Sequence, residues 1–301
     1  MSEEKLSKNS IAFRAIIACM LWSTAFVGIK KGLAFTTPLN FAGLRFMLAG
    51  LIILPFVGGF RKWIYEVSTH FGLILKIAFM QIFLLYLFFY SGMERVSSAT
   101  AAVVIGFSPG WAALLAHFFM KNDKLTLKKS ISFLIGICGI AVISFTKPTS
   151  SIVPYSTQIV GVIMLLVSSL SSAFANIVVA KDKKLISPLV LNSAQLFFGG
   201  LMLFLVSIPL EGLKPPSLNP VYLLSLGWLV FVSATAFSLW FKLLKTPKIK
   251  ISFLNIWKFI IPVLGVILSL IILPEESIQI STIVGMILVA LSIVIYNYKK
   301  L

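Results

Sequence analysis

The sequence predicts an all-α integral membrane protein, with ten transmembrane helices arranged as two inverted five-helix repeats. Three observations predict it. Hydrophobic residues make up 59% of the chain and charged residues only 12%, with a mean hydropathy of +1.02. A soluble chain is about 25% charged. Apolar runs of roughly 18–25 residues recur along the whole length, each long enough to cross a hydrocarbon core of about 30 Å. The punctuation between those runs also occurs twice. Trp22-Ser23-Thr24-Ala25-Phe26 matches Leu170-Ser171-Ser172-Ala173-Phe174 at an offset of 148, and Pro38-Leu39 with Gly50-Leu51 matches Pro188-Leu189 with Gly200-Leu201 at 150. Pro109 with Asp123 matches Pro262 with Glu276 at 153. Five spans per copy bring the second copy into the bilayer from the opposite side, the arrangement of alternating-access transporters.

The hydrocarbon core offers no water, so each span must satisfy its own backbone as a helix. Span 1 covers 11–29 and runs past Trp22 without an A-x-A-like site, which reads as a retained helix rather than a cleaved signal. Span 2 (39–57) follows Pro38, which fits a first helical turn where its missing N–H costs nothing. Span 3 (71–93) carries Phe79, Phe83, Tyr86 and Tyr90 as one stripe, and span 4 (97–119) contains Pro109. Span 5 covers 127–146. The first repeat is thus 1–146, a linker with Pro148 and Pro154 occupies 147–156, and the second repeat is 157–301. Span 6 (157–179) places Ser168, Ser172 and Asn176 four residues apart. Spans 7 (189–209) and 8 (221–241) start after Pro188 and Pro220. Span 9 (251–273) holds Asn255, Trp257, Lys258 and Pro262, and span 10 covers 281–297.

The net charge of +17 raises the question of nucleic acid, and its distribution answers it. With the N-terminus placed in the cytoplasm, the cytoplasmic segments hold eighteen Lys and Arg, from Lys5, Lys8 and Arg14 to Lys299 and Lys300. The other face holds five, namely Lys30, Lys31, Arg95, Lys147 and Lys214. This is the positive-inside pattern, and it predicts a multi-pass protein of the plasma membrane with both termini cytoplasmic. The partners it implies are the lipid bilayer and a small-molecule metabolite, not nucleic acid. Cys19 and Cys138 lie inside spans and read as buried small hydrophobes. Two Cys and two His, scattered as they are, give no metal-ligand spacing, and no cofactor motif is present. Oligomeric state is not readable, because lipid-facing and partner-facing surfaces look alike.

One ordered set of motifs carries a resemblance. It comprises Leu21-Trp22-Ser23-Thr24-Ala25-Phe26, Leu44-Arg45-Phe46-Met47-Leu48-Ala49-Gly50 and Phe107-Ser108-Pro109-Gly110-Trp111, then Asp123-Lys124-Leu125-Thr126 and Gly136 with Gly139. The second half adds Ile260-Ile261-Pro262-Val263-Leu264, Pro274-Glu275-Glu276 and Gly285. The chain resembles the drug/metabolite transporter superfamily, in particular its EamA-type members. The resemblance implies ten helices that move small metabolites, often amino acids, across the cytoplasmic membrane. It also implies a cavity lined mainly by helices 1, 3, 4, 6, 8 and 9. The sequence departs from that pattern at Asp123, where the family usually has Glu, and its two halves differ at Arg45 and the matching Gln195.

A charge at bilayer depth is costly and marks a candidate site. Arg45 lies roughly 10 Å below the outer face at about 1.5 Å per residue. It reads either as a structural clamp onto backbone carbonyls or as a substrate contact, and the clamp is favoured because helix 2 is not an implied lining helix. Lys258 reads equally as a snorkelling side chain or a substrate contact. Lys76, near its span end, reads as snorkelling. All nine acidic residues fall in termini or loops, so the cavity is expected to be net positive and to take a substrate with a carboxylate or other anionic group. The substrate-binding candidates are Trp22, Ser23, Thr24, Tyr86, Tyr90, Asn176, Asn255 and Lys258, with Trp240 an interfacial anchor. Pro109 and Pro262 are expected to kink their helices, as hinges or as static packing. No Walker A sequence is present. The expected function is therefore a secondary transporter, not an enzyme, exporting a small amino acid or related metabolite by alternating access. A lipid-modifying membrane enzyme and a membrane scaffold or sensor are the alternatives.

Overall fold

The computed structural model describes residues 8–119, 126–145, 155–181, 186–246, 254, 257–258, 260–273 and 280–297. Among them the chain is helical with short connections and contains no strand. The helices are α1 (Lys8–Leu33), α2 (Pro38–Ile53), α3 (Phe60–Thr69), α4 (Phe71–Met93), α5 (Ser98–Phe119) and α6 (Leu127–Phe145). They continue with α7 (Tyr155–Lys181), α8 (Pro188–Glu211), α9 (Pro220–Leu244), α10 (Ile260–Ile272) and α11 (Ile280–Asn297). Seven of these (α1, α2, α4, α5, α7, α8 and α9) are long and apolar enough to cross a membrane, and α6, α10 and α11 contain shorter apolar helices. The chain is a multi-pass membrane protein.

Packing is strongest between helices from different halves. α2 lies along α8, α6 along α11, α1 along α9 and α4 along α7. Lipid tails are as apolar as side chains, so close backbone approach rather than hydrophobicity must hold such pairs. Glycine permits it. A Cβ on Gly43 would come within 2.6 Å of the Phe204 nitrogen, and one on Gly200 within 2.6 Å of the Met47 nitrogen. Cys138 corrects the sequence reading: it is exposed on α6, whose main partner is α11, so the opposite face meets lipid.

Pro38, Pro188 and Pro220 all open their helices. Asn219 caps α9 through its side chain, but Thr37 and Ser187 do not cap α2 and α8. Carboxylates from elsewhere supply the missing acceptors. Glu211, the last residue of α8, accepts from the Leu39 nitrogen at 3.0 Å and the Asn40 nitrogen at 3.1 Å. Glu66 on α3 accepts from the Ser187 nitrogen at 2.8 Å. Each carboxylate meets the positive end of a helix dipole. The sequence placed both acids in loops; in the structure both lie on helices and fasten one half to the other.

Two other elements were not expected. Gly58 and Gly59 turn the chain at φ of 86° and 113°, a region open to glycine, and release the amphipathic helix α3 between the second and third spans. Within α4 the turns widen to a π-helix over Ala78–Leu84. The Ser171 hydroxyl of α7 donates to the Met80 carbonyl there at 2.7 Å.

Replacing Glu211 with Ala strips two N–H groups at the start of α2 of their acceptor. The expected loss is about 1–2 kcal/mol of stability, seen as a lower unfolding midpoint in detergent. An unchanged midpoint would show that the cap contributes nothing.

Candidate functional site

One cavity runs into the centre of the bundle. It holds about 750 Å³ of empty space, its open mouth included. α1 contributes Trp22, Ala25, Phe26 and Ile29, and α4 contributes Gln81, Leu85, Tyr86 and Phe89. α5 adds Ile105 and Ser108, α7 adds Ser168, Ser169, Ser172 and Asn176, and α9 adds Phe237 and Trp240. Ile261 of α10 and the preceding Lys258 close the lining, together with Arg45 of α2. Arg45 is the single contribution from α2 among these residues, a helix the sequence reading had set aside.

Arg45 is 1% exposed. Its Nε donates to the Ser233 hydroxyl at 2.8 Å and to the Leu229 carbonyl at 3.3 Å, and one terminal nitrogen donates to the Tyr90 hydroxyl at 3.0 Å. Its guanidinium lies 4.7 Å from the Phe46 ring centroid and 5.7 Å from that of Tyr86. Ser233 in turn donates to the Leu229 carbonyl, which fixes the acceptor. The guanidinium therefore joins α2, α4 and α9 through neutral partners and still borders the cavity. Clamp and lining residue coexist in one side chain.

Lys258 is 7% exposed, and its Nζ sits 4.9 Å from the Trp240 ring centroid, a cation–π contact. The Trp240 Nε1 donates to the Asn176 side-chain oxygen at 3.3 Å, which orients the ring. Trp240 also packs edge-on against Trp22 at 5.3 Å. Trp240 is 2% exposed, so it is a cavity residue and not an interfacial anchor. Two polar atoms on the cavity wall, Gln81 Oε1 and Ser168 Oγ, are buried without a hydrogen-bond partner among the described residues. A buried polar atom without a protein partner is costly unless a ligand or water completes it.

The sequence candidates distribute as follows. Trp22, Tyr86, Asn176, Lys258 and Arg45 border the cavity together. Ser23 is fully buried and turns its hydroxyl onto the Cys19 carbonyl at 2.8 Å. Thr24 faces α9, where its hydroxyl accepts from Trp228 Nε1 at 2.9 Å. Tyr90 stands behind the wall and holds Arg45. Asn255 lies outside the described residues. Pro109 follows a break in α5 at Phe107, and Pro262 stands in the first turn of α10 after a turn at Lys258. Pro109 thus sits in the first turn after that break and Pro262 in the first turn of α10, positions where a missing N–H is tolerated. The two breaks touch: a Cβ on Gly106 would come within 2.6 Å of Pro262 Cγ. Gln81 was missed, although a lone amide inside an aromatic span was a usable signal.

The fold and cavity define a polytopic membrane protein with a small-molecule site at the centre of its helices. The chain belongs to the EamA-like transporter family, whose pattern matches it twice, over residues 9–145 and 159–298. It is a membrane transporter of that family. It is 24% identical to the uncharacterized transporter YvbV of Bacillus subtilis, over 99% of this chain and 94% of the relative. It is 27% identical to an uncharacterized transporter of Archaeoglobus fulgidus, over 93% and 95%. A Chlamydia trachomatis protein named as an S-adenosylmethionine/S-adenosylhomocysteine transporter is 22% identical, over 88% and 82%. A solved structure, titled only as the crystal structure of a protein, shares the fold with a TM-score of 0.67 at 14% identity, covering 97% of each chain.

The Arg45 fork supports a test of its structural share. A lysine offers a single point charge and cannot reach Ser233 and Tyr90 together in the same geometry. Arg45→Lys is expected to lower stability by about 1.5–3 kcal/mol, read as the unfolding midpoint in detergent, and Ser233→Ala by less. Equal midpoints for wild type and Arg45→Lys would remove the clamp.

Proposed function

We propose that this chain is a secondary transporter of the plasma membrane that exports a small metabolite carrying a carboxylate, of amino-acid type, by alternating access. The observation that carries the reading is the cavity itself: two buried cations, Arg45 and Lys258, border it, and among the described residues its lining includes no carboxylate. An anionic group on the substrate would neutralise that field, and the aromatic walls from Trp22 to Trp240 would hold an apolar body. Arg45 is already held by neutral protein groups, so Lys258 is the cation with more to gain from a substrate carboxylate.

Ten spans as two inverted five-helix repeats, 1–146 and 157–301, fit the packing. If α1, α2, α4, α5 and α6 correspond to α7, α8, α9, α10 and α11, the α1–α9 contact maps onto α7–α4 and the α1–α10 contact onto α7–α5. The cavity then lies between the halves, where rocking of one against the other would expose it alternately. The basic excess on one face supports cytoplasmic termini.

Reconstituted vesicles preloaded with members of a metabolite panel test this directly. Counterflow of a carboxylate-bearing metabolite is expected, and none across the panel would overturn the transport mode. Lys258→Ala is expected to reduce transport of carboxylates at least about tenfold more than of their neutral amides, the worth of roughly one charged hydrogen bond. Equal losses would sink the carboxylate assignment. Pro109→Ala and Pro262→Ala are each expected to slow counterflow while the protein still elutes as a folded species; unchanged rates would leave the breaks as static packing.

A further inference from the structure

α3 has no role in the cavity, yet its composition and contacts are specific. At 100° per residue, Phe60, Trp63, Ile64 and Val67 share one arc, while Arg61, Lys62, Tyr65 and Thr69 occupy the opposite side and Ser68 lies at the edge beside Ile64. The apolar arc is only half used by protein. Val67 is buried, and Trp63 donates from Nε1 to the Ser193 hydroxyl of α8 at 3.2 Å. Phe60 and Ile64, in contrast, are 62% and 48% exposed. Phe56 just before the helix and Phe71 just after it are exposed as well. These side chains continue the exposed apolar faces of the flanking spans, Leu51 and Ile52 on α2 and Leu75 and Phe79 on α4. On the polar side Arg61 and Lys62 are exposed at the end of the bundle that also carries Lys181 and Lys242.

We infer that α3 lies in the membrane–water interface, sinks Phe60 and Ile64 among the acyl chains, and holds anionic phospholipid headgroups with Arg61 and Lys62. A short helix with aromatic and aliphatic residues on one side and cations on the other has this as its stable place. Each exposed cation gains from an anionic surface. The helix is also fastened to α8 at two points, by Glu66 on the Ser187 nitrogen and by Trp63 on Ser193. The lipid contact is thereby joined to the start of the helix that packs along α2.

The test needs no substrate, so its outcome is separate from that of the transport reading. The full chain carries Cys19→Ser and Cys138→Ser, with one cysteine introduced by Ile64→Cys or Thr69→Cys and labelled with an environment-sensitive fluorophore. It is reconstituted in phosphatidylcholine with or without phosphatidylglycerol. At position 64 the emission is expected to be blue-shifted and quenched by lipids with a nitroxide near the headgroup, more so with phosphatidylglycerol. At position 69 the label is expected to remain water-like and open to a soluble quencher. Arg61→Gln with Lys62→Gln is expected to abolish the phosphatidylglycerol increment at position 64. Water-like emission at position 64 in both lipids would overturn the interfacial placement and favour a protein partner. An increment that survives the double substitution would overturn the headgroup assignment. Phe60→Cys provides a second position on the buried arc if Ile64→Cys does not fold.

Discussion

Hydrocarbon cannot hydrogen-bond, and this constraint decides where every polar group of the chain can go. Backbone groups freed by an irregular turn must find side chains: the Met80 carbonyl in the wide turn of α4 receives Ser171, and the Gly50 carbonyl receives Ser193. Helix starts must find acceptors, and Glu211 and Glu66 provide them. Among the described residues no acid pairs with the Arg45 guanidinium, and Ser233, the Leu229 carbonyl and Tyr90 accept from it instead. In each case a polar group is satisfied by a different helix. Satisfying polarity and joining helices are therefore one process at these positions, and on the cavity wall Gln81 Oε1 and Ser168 Oγ are left without a protein partner among the described residues.

What was legible in the sequence was whatever leaves a periodic trace. Spans show as apolar runs, helix starts show as Pro38, Pro188 and Pro220, and the family shows as an ordered set of small motifs. The cavity was partly legible for the same reason, since Trp22, Tyr86, Asn176 and Lys258 are polar or amphipathic residues interrupting apolar faces. Pairings between distant residues leave no such trace. Nothing local to Glu211 announces the Leu39 and Asn40 amides 172 and 171 positions away. Thr24 and Tyr90 have the chemistry of binding residues, but tertiary packing spends it on Trp228 and Arg45. α3 was overlooked because ten residues are too short for a span, and its apolar arc is discontinuous in sequence.

The family pattern matches both halves, and the two differ in charge. At the position equivalent to Arg45, Gln195 is fully buried and donates to Asn192, whose own amide reaches the Ser238 hydroxyl of α9. Arg45 thus ties α2 to α9 with a cation, whereas on α8 the neutral Asn192, held by Gln195, makes the tie. Only the charged version borders the cavity. Two halves that match one family pattern can in this way present an uneven field, with its positive groups supplied by single positions.

The crossed carboxylate caps also bear on the order in which the molecule can be completed. Glu66 is made before the helix it caps, so α8 meets its acceptor as soon as Ser187 arrives. The opposite cap works in reverse: the amides of Leu39 and Asn40 are in place long before residue 211 exists. During synthesis, then, the start of α2 stays open until the end of α8 has been threaded. The first half therefore keeps an uncapped helix start until the first two helices of the second, α7 and α8, have been made, and one carboxylate at the end of α8 closes it.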